Sequence, residues 1–329
     1  MRLSLKNIIV PSIPLAVVLV GFSVLLWIAD FGTPSTKLSS GDSVLSENIQ
    51  SLFSANAFIT NIISLVLTLL NAFLISQLNN RFTIIRTRTF LPLLIFLVLI
   101  SSWSQTHTTV TSHLSLTLFI FSLFNFFNMS RDKNASEQAF TGSLLISLCS
   151  LLIHQYIFLI PICWIGFIFF QSLSLRTLLA SIFGTLAPWV IFLAISYFIN
   201  PSINLLQFVT FNFNFELDFL SIKLQEIIYI SSISLIMIIG IFGLFSISNS
   251  DATSTRNKLN FLVFLLVILS IVSFIFRNQF NCFLPIIALA YSLLISHPLT
   301  LKQSNFYGIL LVFFIVLNIT FIISKHILI

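Results

Sequence analysis

The chain has 329 residues, of which 57% are hydrophobic and only 7% charged, with a mean hydropathy of +1.08 and a formal net charge of +6. A soluble globular domain does not hide that much apolar surface, so the composition excludes a water-soluble enzyme or binding module. The basic residues stand singly at the ends of apolar stretches and form no patch, which excludes nucleic acid as a partner and fits anchoring at a membrane surface.

In chain order, the apolar stretches predict an all-α, polytopic transmembrane bundle of about eleven spans. They fall at about 8–29, 57–78, 89–104, 113–129, 140–153, 156–172, 177–199, 227–247, 259–276, 279–296 and 305–324. The amino end, Met1 to Lys6 followed by apolar residues to Ile28, has the charge order of a signal peptide. Its apolar run is too long for one, and no small-x-small site precedes Asp30, so an uncleaved first span is expected. The first long gap, 30–56, contains DSVLSENIQSLFSAN, in which Val44, Leu45, Ile49, Leu52 and Phe53 recur at helical spacing after a capping Asp42. That pattern predicts an amphipathic helix lying on the membrane surface at about 42–56.

The third and fifth spans are short. The fifth and sixth are separated only by His154 and Gln155, which reads as a tight hairpin or as two partly inserted helices sheltered by protein. Pro188 is expected to kink the seventh span. The second long gap, 200–226, alternates polar residues with phenylalanines around TFNFNFELDF and suits a half-buried segment at headgroup depth. No gap is long enough for a soluble core, so residues 1–329 are expected to form a single integral membrane domain. Cys149, Cys163 and Cys282 all fall in apolar spans and read as small buried hydrophobes.

Charge sets the orientation. With the amino end inside, Arg2, Lys6, Arg81, Arg86, Arg88, Arg131, Lys133, Arg176, Arg256, Lys258 and Lys302 are cytoplasmic, while Lys37, Lys223, Arg277 and Lys325 are not. The bias favours N-in, C-out in a bacterial inner membrane. The acids run the other way: Asp30, Asp42, Glu47, Glu216, Asp218 and Glu226 lie outside, and Asp132, Glu137 and Asp251 inside. Acids count little for insertion, so their external excess reads as a mark of function.

Asp30 follows LLWIA at the outer end of the first span, where partial desolvation suits a carboxylate to act as a general base; the plainer reading is a helix end in water. Glu216 and Asp218, two apart in NFELDF, form a DxD-like pair able to hold a divalent cation, or two solvated loop acids. Arg277, in the short turn FIFRNQFNCF, suits a lipid phosphate or a snorkelling anchor, and Lys223 is similar. His107 and His113 frame QTHTTVTSH, and His154 sits at the hairpin tip; lone histidines of this kind are commonly hydrogen-bonding residues. The middles of the spans carry no acids or bases, which argues against an ion-coupled carrier.

A first span ending outside in an acid, an external loop with a surface helix, short paired helices and a long seventh span resemble the integral-membrane glycosyltransferases of the GT-C fold. That resemblance implies a catalytic acid in the first external loop (Asp30, with Asp42 and Glu47 as reserves) and a polyprenyl-phosphate-linked sugar as donor. It further implies Arg277, Lys223, His107 and His154 as substrate- or lipid-phosphate-binding groups, and 1–199 as the module shared with that layout before variable helices at 200–329. The stretches NAFLISQLNNRFTIIRTRTFLPLLIFLVL and CWIGFIFFQSLSLRTLLASIFGTLAPWVIFLAISYF also resemble an uncharacterised multi-span family from Bacteroidetes. The chain is short for a GT-C enzyme and lacks the paired-acid motif in its first loop. Two other readings stand beside the transferase: a non-catalytic membrane partner in envelope assembly or secretion, and a carrier or flippase.

Overall fold

A computed structural model describes residues 13–28, 56–199, 224–248, 250–302 and 304–327. Among these residues the secondary structure is entirely helical. The elements are α1 (Ile13–Ile28), α2 (Ala57–Phe82), α3 (Leu91–Ser102), α4 (Val110–Asn128), α5 (Ser136–Leu152), α6 (Leu159–Phe169), α7 (Leu175–Ile199), α8 (Leu224–Ser248), α9 (Thr253–Ile275), α10 (Phe280–Leu301) and α11 (Asn305–Ile327). Three 3₁₀ turns join them, at Ser104–Thr108, His154–Phe158 and Arg277–Gln279. The expected surface helix at 42–56 and most of the 200–226 segment lie outside the described residues.

Local chemistry sets the boundaries. Asn56 caps α2, its side-chain oxygen accepting from the Phe58 amide. The helix stops at Thr83, whose φ of 47° is left-handed, and the Asn79 side chain then accepts from the Ile85 amide at 2.9 Å. Pro92 occupies the first turn of α3, where a missing amide hydrogen costs nothing. Helix α7 continues through Pro188.

Among the described residues, seven helices (α2, α4, α7, α8, α9, α10 and α11) are long and apolar enough to cross a membrane. The short members are α3, with 12 residues, and α6, with 11. At about 1.5 Å per residue neither reaches across an apolar layer of about 30 Å. Every residue of α3 is buried and so sheltered by protein, whereas α6 packs on α5 and α9 and leaves Ile165 and Ile168 exposed. The central element is α10, buried almost continuously from Cys282 to Thr300 against α3, α4, α8 and α9. Small residues let other helices close up, since a methyl group on Gly142 would come within 2.6 Å of the Phe126 ring and one on Gly166 within 2.7 Å of Phe261. The outward surface is apolar, with Phe198 83%, Leu175 76% and Phe242 72% exposed. That is the surface a helix presents to lipid.

The two ends of the bundle differ in chemistry. One end gathers the connections after α2, α4, α6 and α8. Arg86 reaches Ser250 and Asp251, the Arg131 amide donates to the Phe170 carbonyl at 2.8 Å, and the Ser174 hydroxyl donates to the Lys133 carbonyl at 2.8 Å. Nine of the described basic residues belong to this end: Arg81, Arg86, Arg88, Arg131, Lys133, Arg176, Arg256, Lys258 and Lys302. The opposite end carries the three 3₁₀ turns, with Arg277 and Lys325.

Candidate functional site

The aromatic end is built around the first turn of α10. Trp103, which closes α3, donates its indole hydrogen to Asn281 Oδ1 at 2.7 Å and meets Phe280 edge-on, with ring centroids 5.3 Å apart. Its other neighbours are Phe321, stacked at 5.7 Å, and the Lys325 ammonium, 5.6 Å from the ring centroid. Tyr229 stacks on Phe321 at 4.0 Å. The Tyr229 hydroxyl donates to Asn318 Oδ1 at 2.8 Å, and the Ser102 hydroxyl lies 2.7 Å from the same oxygen, so one buried amide ties α3, α8 and α11.

The turn Ser104–Thr108 leads from Trp103 to His107. Its threonines fold back on local carbonyls, Thr106 Oγ1 donating to Trp103 at 2.7 Å and Thr109 Oγ1 to Thr106 at 3.1 Å. The segment lies at the same end as the other two 3₁₀ turns and is packed into the bundle there, with His107 fully buried. Trp27, from the end of α1, lies flat on the His107 imidazole with centroids 3.8 Å apart and planes 22° from parallel. The Trp27 indole donates to Ser101 Oγ at 3.0 Å.

His113 follows in the first turn of α4. Its Nε2 is 3.0 Å from the Thr106 carbonyl, an acceptor only, so that nitrogen carries the hydrogen. Nδ1 faces the Thr68 hydroxyl at 3.4 Å. One turn deeper, Asn71 donates to the His113 carbonyl at 2.9 Å and accepts from Thr117 at 2.8 Å, tying α2 to α4.

Two further segments meet the same turn of α10. Tyr156, in the His154–Phe158 turn, donates its hydroxyl hydrogen to the Cys282 carbonyl, and its ring meets Phe283 edge-on at 5.8 Å. Phe158 packs on Phe276, immediately before Arg277, at 5.5 Å. His154 lies 6.0 Å from the Trp189 ring of α7, whose indole donates to Ser150 at 3.0 Å. The segments that carry His107, His154 and Arg277 therefore converge on the start of α10. Asp30, Asp42, Glu47, Glu216, Asp218 and Lys223 lie outside the described residues. Among the described residues no three His, Cys, Asp or Glu side chains come together as a metal site.

At the basic end stands a cluster that sequence reading passed over. Asp251 has a fully buried side chain. Arg86 Nε and Nη2 each lie 2.7 Å from Asp251 Oδ1, and Nη2 also donates to Ser250 Oγ at 2.8 Å. His297 of α10, equally buried, places Nε2 3.2 Å from Asp251 Oδ2. No local spacing announces this trio, because 165 residues separate Arg86 from Asp251. The sole hint is Asp251 itself, an acid among basic turns.

Helices of this length and outward polarity define a membrane-type helical bundle. The model of a protein family described as a family of unknown function (DUF6427) matches residues 44–328, and the chain belongs to that family. No curated protein and no solved structure matches the chain.

Proposed function

We propose that the chain is a multi-pass protein of a bacterial inner membrane, with its amino end and the basic end of the bundle in the cytoplasm and the aromatic end outside. On this reading it acts at the external end as a GT-C-like glycosyltransferase on a polyprenyl-phosphate-linked sugar. Asp30 takes the proton from the acceptor hydroxyl, Arg277 and Lys223 hold the lipid phosphate, and Glu216 with Asp218 holds a divalent cation. The observation that supports this reading is the stack of Trp27 on His107, three residues before Asp30, on a segment that shares the first turn of α10 with Arg277. Contacts run from Trp27 to the His107 turn, and Trp103 at the start of that turn bonds Asn281, four residues after Arg277.

The test is Asp30→Asn in the native host. It should abolish a surface glycan while leaving the protein inserted at normal abundance; an unchanged glycan ends the transferase reading.

A second reading is favoured by the way interior polar groups are used. Asn71, Asn318 and Ser102 are spent on helix-to-helix hydrogen bonds, as in a scaffold. A non-catalytic partner in envelope assembly would co-purify stoichiometrically with another membrane protein from mild detergent; purification of a stable lone chain counts against it.

A further inference from the structure

The Arg86–Asp251–His297 trio is a joint between three separate parts of the chain. Arg86 belongs to the connection between α2 and α3, Asp251 to the turn between α8 and α9, and His297 to α10. Neighbouring contacts reinforce the same seam: Arg131 donates to the Thr253 hydroxyl, Ser130 Oγ lies 3.4 Å from Ser254 Oγ, and the Lys258 ammonium is 5.0 Å from the Phe82 ring.

The two oxygens of Asp251 are used differently. Oδ1 is held by the guanidinium at hydrogen-bonding distance. Among the described residues Oδ2 makes no hydrogen bond, nor does either nitrogen of His297, although Nε2 stands only 3.2 Å away. One arm of the joint is closed and the other is within reach but unmade. The arginine arm is also the one open to solvent: the Arg86 side chain is 41% exposed, whereas those of Asp251 and His297 are fully buried. Around Arg86 the same end presents exposed Arg81, Arg88, Arg131 and Lys133. A guanidinium binds a phosphate monoanion as readily as a carboxylate.

We propose that this trio is a clasp released by anionic phospholipid: a headgroup phosphate with no choline cation to balance it draws Arg86 away from Asp251, and His297 takes over the stranded carboxylate through Nε2. Without the imidazole, removal of Arg86 would leave a buried, unpaired charge, which is strongly unfavourable. His297 is what lets the arginine leave. Release frees the α2–α3 connection from the α8–α9 turn. The proposal rests on the membrane reading above, with this end in a headgroup layer; it does not depend on the transferase activity.

Thr87 and Ala252 are both exposed and flank the two arms. Spin labels on a Thr87→Cys/Ala252→Cys chain, reconstituted in nanodiscs of pure phosphatidylcholine or with phosphatidylglycerol, report the separation by pulsed dipolar spectroscopy. The native Cys149, Cys163 and Cys282 are buried and stay in place. A single short distance is expected in the neutral lipid, and a second, longer population with the anionic one. Asp251→Asn should show the longer population in both lipids, and His297→Ala the short one in both. Failure to enter nanodiscs as a monodisperse species would refute the membrane reading. Identical distributions in the two lipids for the incorporated parent chain would overturn the clasp, as would an Asp251→Asn chain that stays short.

Discussion

Helices α5 and α7 come together so closely at Phe140 and Gly184 that a methyl group on residue 184 would overlap the Phe140 carbonyl oxygen. Backbone cannot step aside as a side chain does. Gly184→Ala should therefore push α7 off α5 at a cost of about 1–3 kcal/mol, read as a lowered unfolding midpoint in detergent. Gly21→Ala is the control, since a Cβ there meets nothing within 4 Å and should leave the midpoint in place.

The amide of Asn71 bonds α4 at two points, the His113 carbonyl and the Thr117 hydroxyl. Asn71→Leu keeps the branched shape but removes both bonds. A loss of about 1 kcal/mol is expected, the size typical of a polar tie between membrane helices. Asn125→Leu is the comparison, because that amide bonds only within its own helix, to Phe121. Equal losses at 71 and 125 would show that the interhelical tie carries nothing.

Trp27 is 1% exposed, yet α1 is otherwise a peripheral helix with Val17 and Leu25 open on its outer face. Trp27→Ala should release α1 from α3 and the His107 turn, costing about 3–5 kcal/mol as other buried tryptophans do. Protease cleavage of residues before α2 should rise in parallel. If α1 stays protected, the anchor lies elsewhere.

Removing either partner of the Arg86–Asp251 pair should cost unequal amounts. Arg86→Ala leaves a buried carboxylate without its cation; partial exposure of the arginine trims the penalty to about 2 kcal/mol. Asp251→Asn leaves the charge on a side chain that can turn to water, so it should cost less. Thermal denaturation of the two variants decides the order, and the reverse order would mean that His297 already holds Asp251.

Orientation has its own check. Single cysteines at Thr87 and Leu224, both exposed and at opposite ends of the bundle, should respond oppositely to a membrane-impermeant thiol reagent added to intact cells. Position 224 should label and position 87 should not until the membrane is permeabilised. The inverse pattern would move the proposed external site to the cytoplasm.

Hydropathy alone located the elements well. The stretch read at 227–247 is the helix Leu224–Ser248, and 177–199 is Leu175–Ile199. Errors arose where polar residues continue a helix into the interior. Helix α2 runs to Phe82 rather than 78 because Asn79 is buried and bonded, and α10 runs to Leu301 rather than 296 through buried His297 and Pro298. The shortest described helices after packing are α3 and α6, whereas sequence length singled out the third and fifth. Apolar 3₁₀ residues such as Tyr156 and Phe158 score like helix and lengthened the sixth on paper.

The candidate site was legible only in outline. His107, His154 and Arg277 stand out in the sequence only as isolated residues, and their shared neighbour, the first turn of α10, has no local signature. Burial of His107 depends on Trp27, eighty positions earlier, which no period or motif connects to it. The pairing of Asp251 with Arg86 and His297 has no local signature for the same reason, as a carboxylate in a short turn reads as solvated until a distant arginine and imidazole are seen beside it.

The brevity of α3 and α6 bears on how the chain is made. A ribosome delivers α3 before α10 and α11, yet twelve residues are too few to hold a bilayer position unaided. Its lasting seat exists once those later partners have been synthesised, so biogenesis must end with a reshuffling of helices already in the lipid. A nascent chain truncated after α9 should accordingly leave residues 91–102 open to digestion that the finished protein resists.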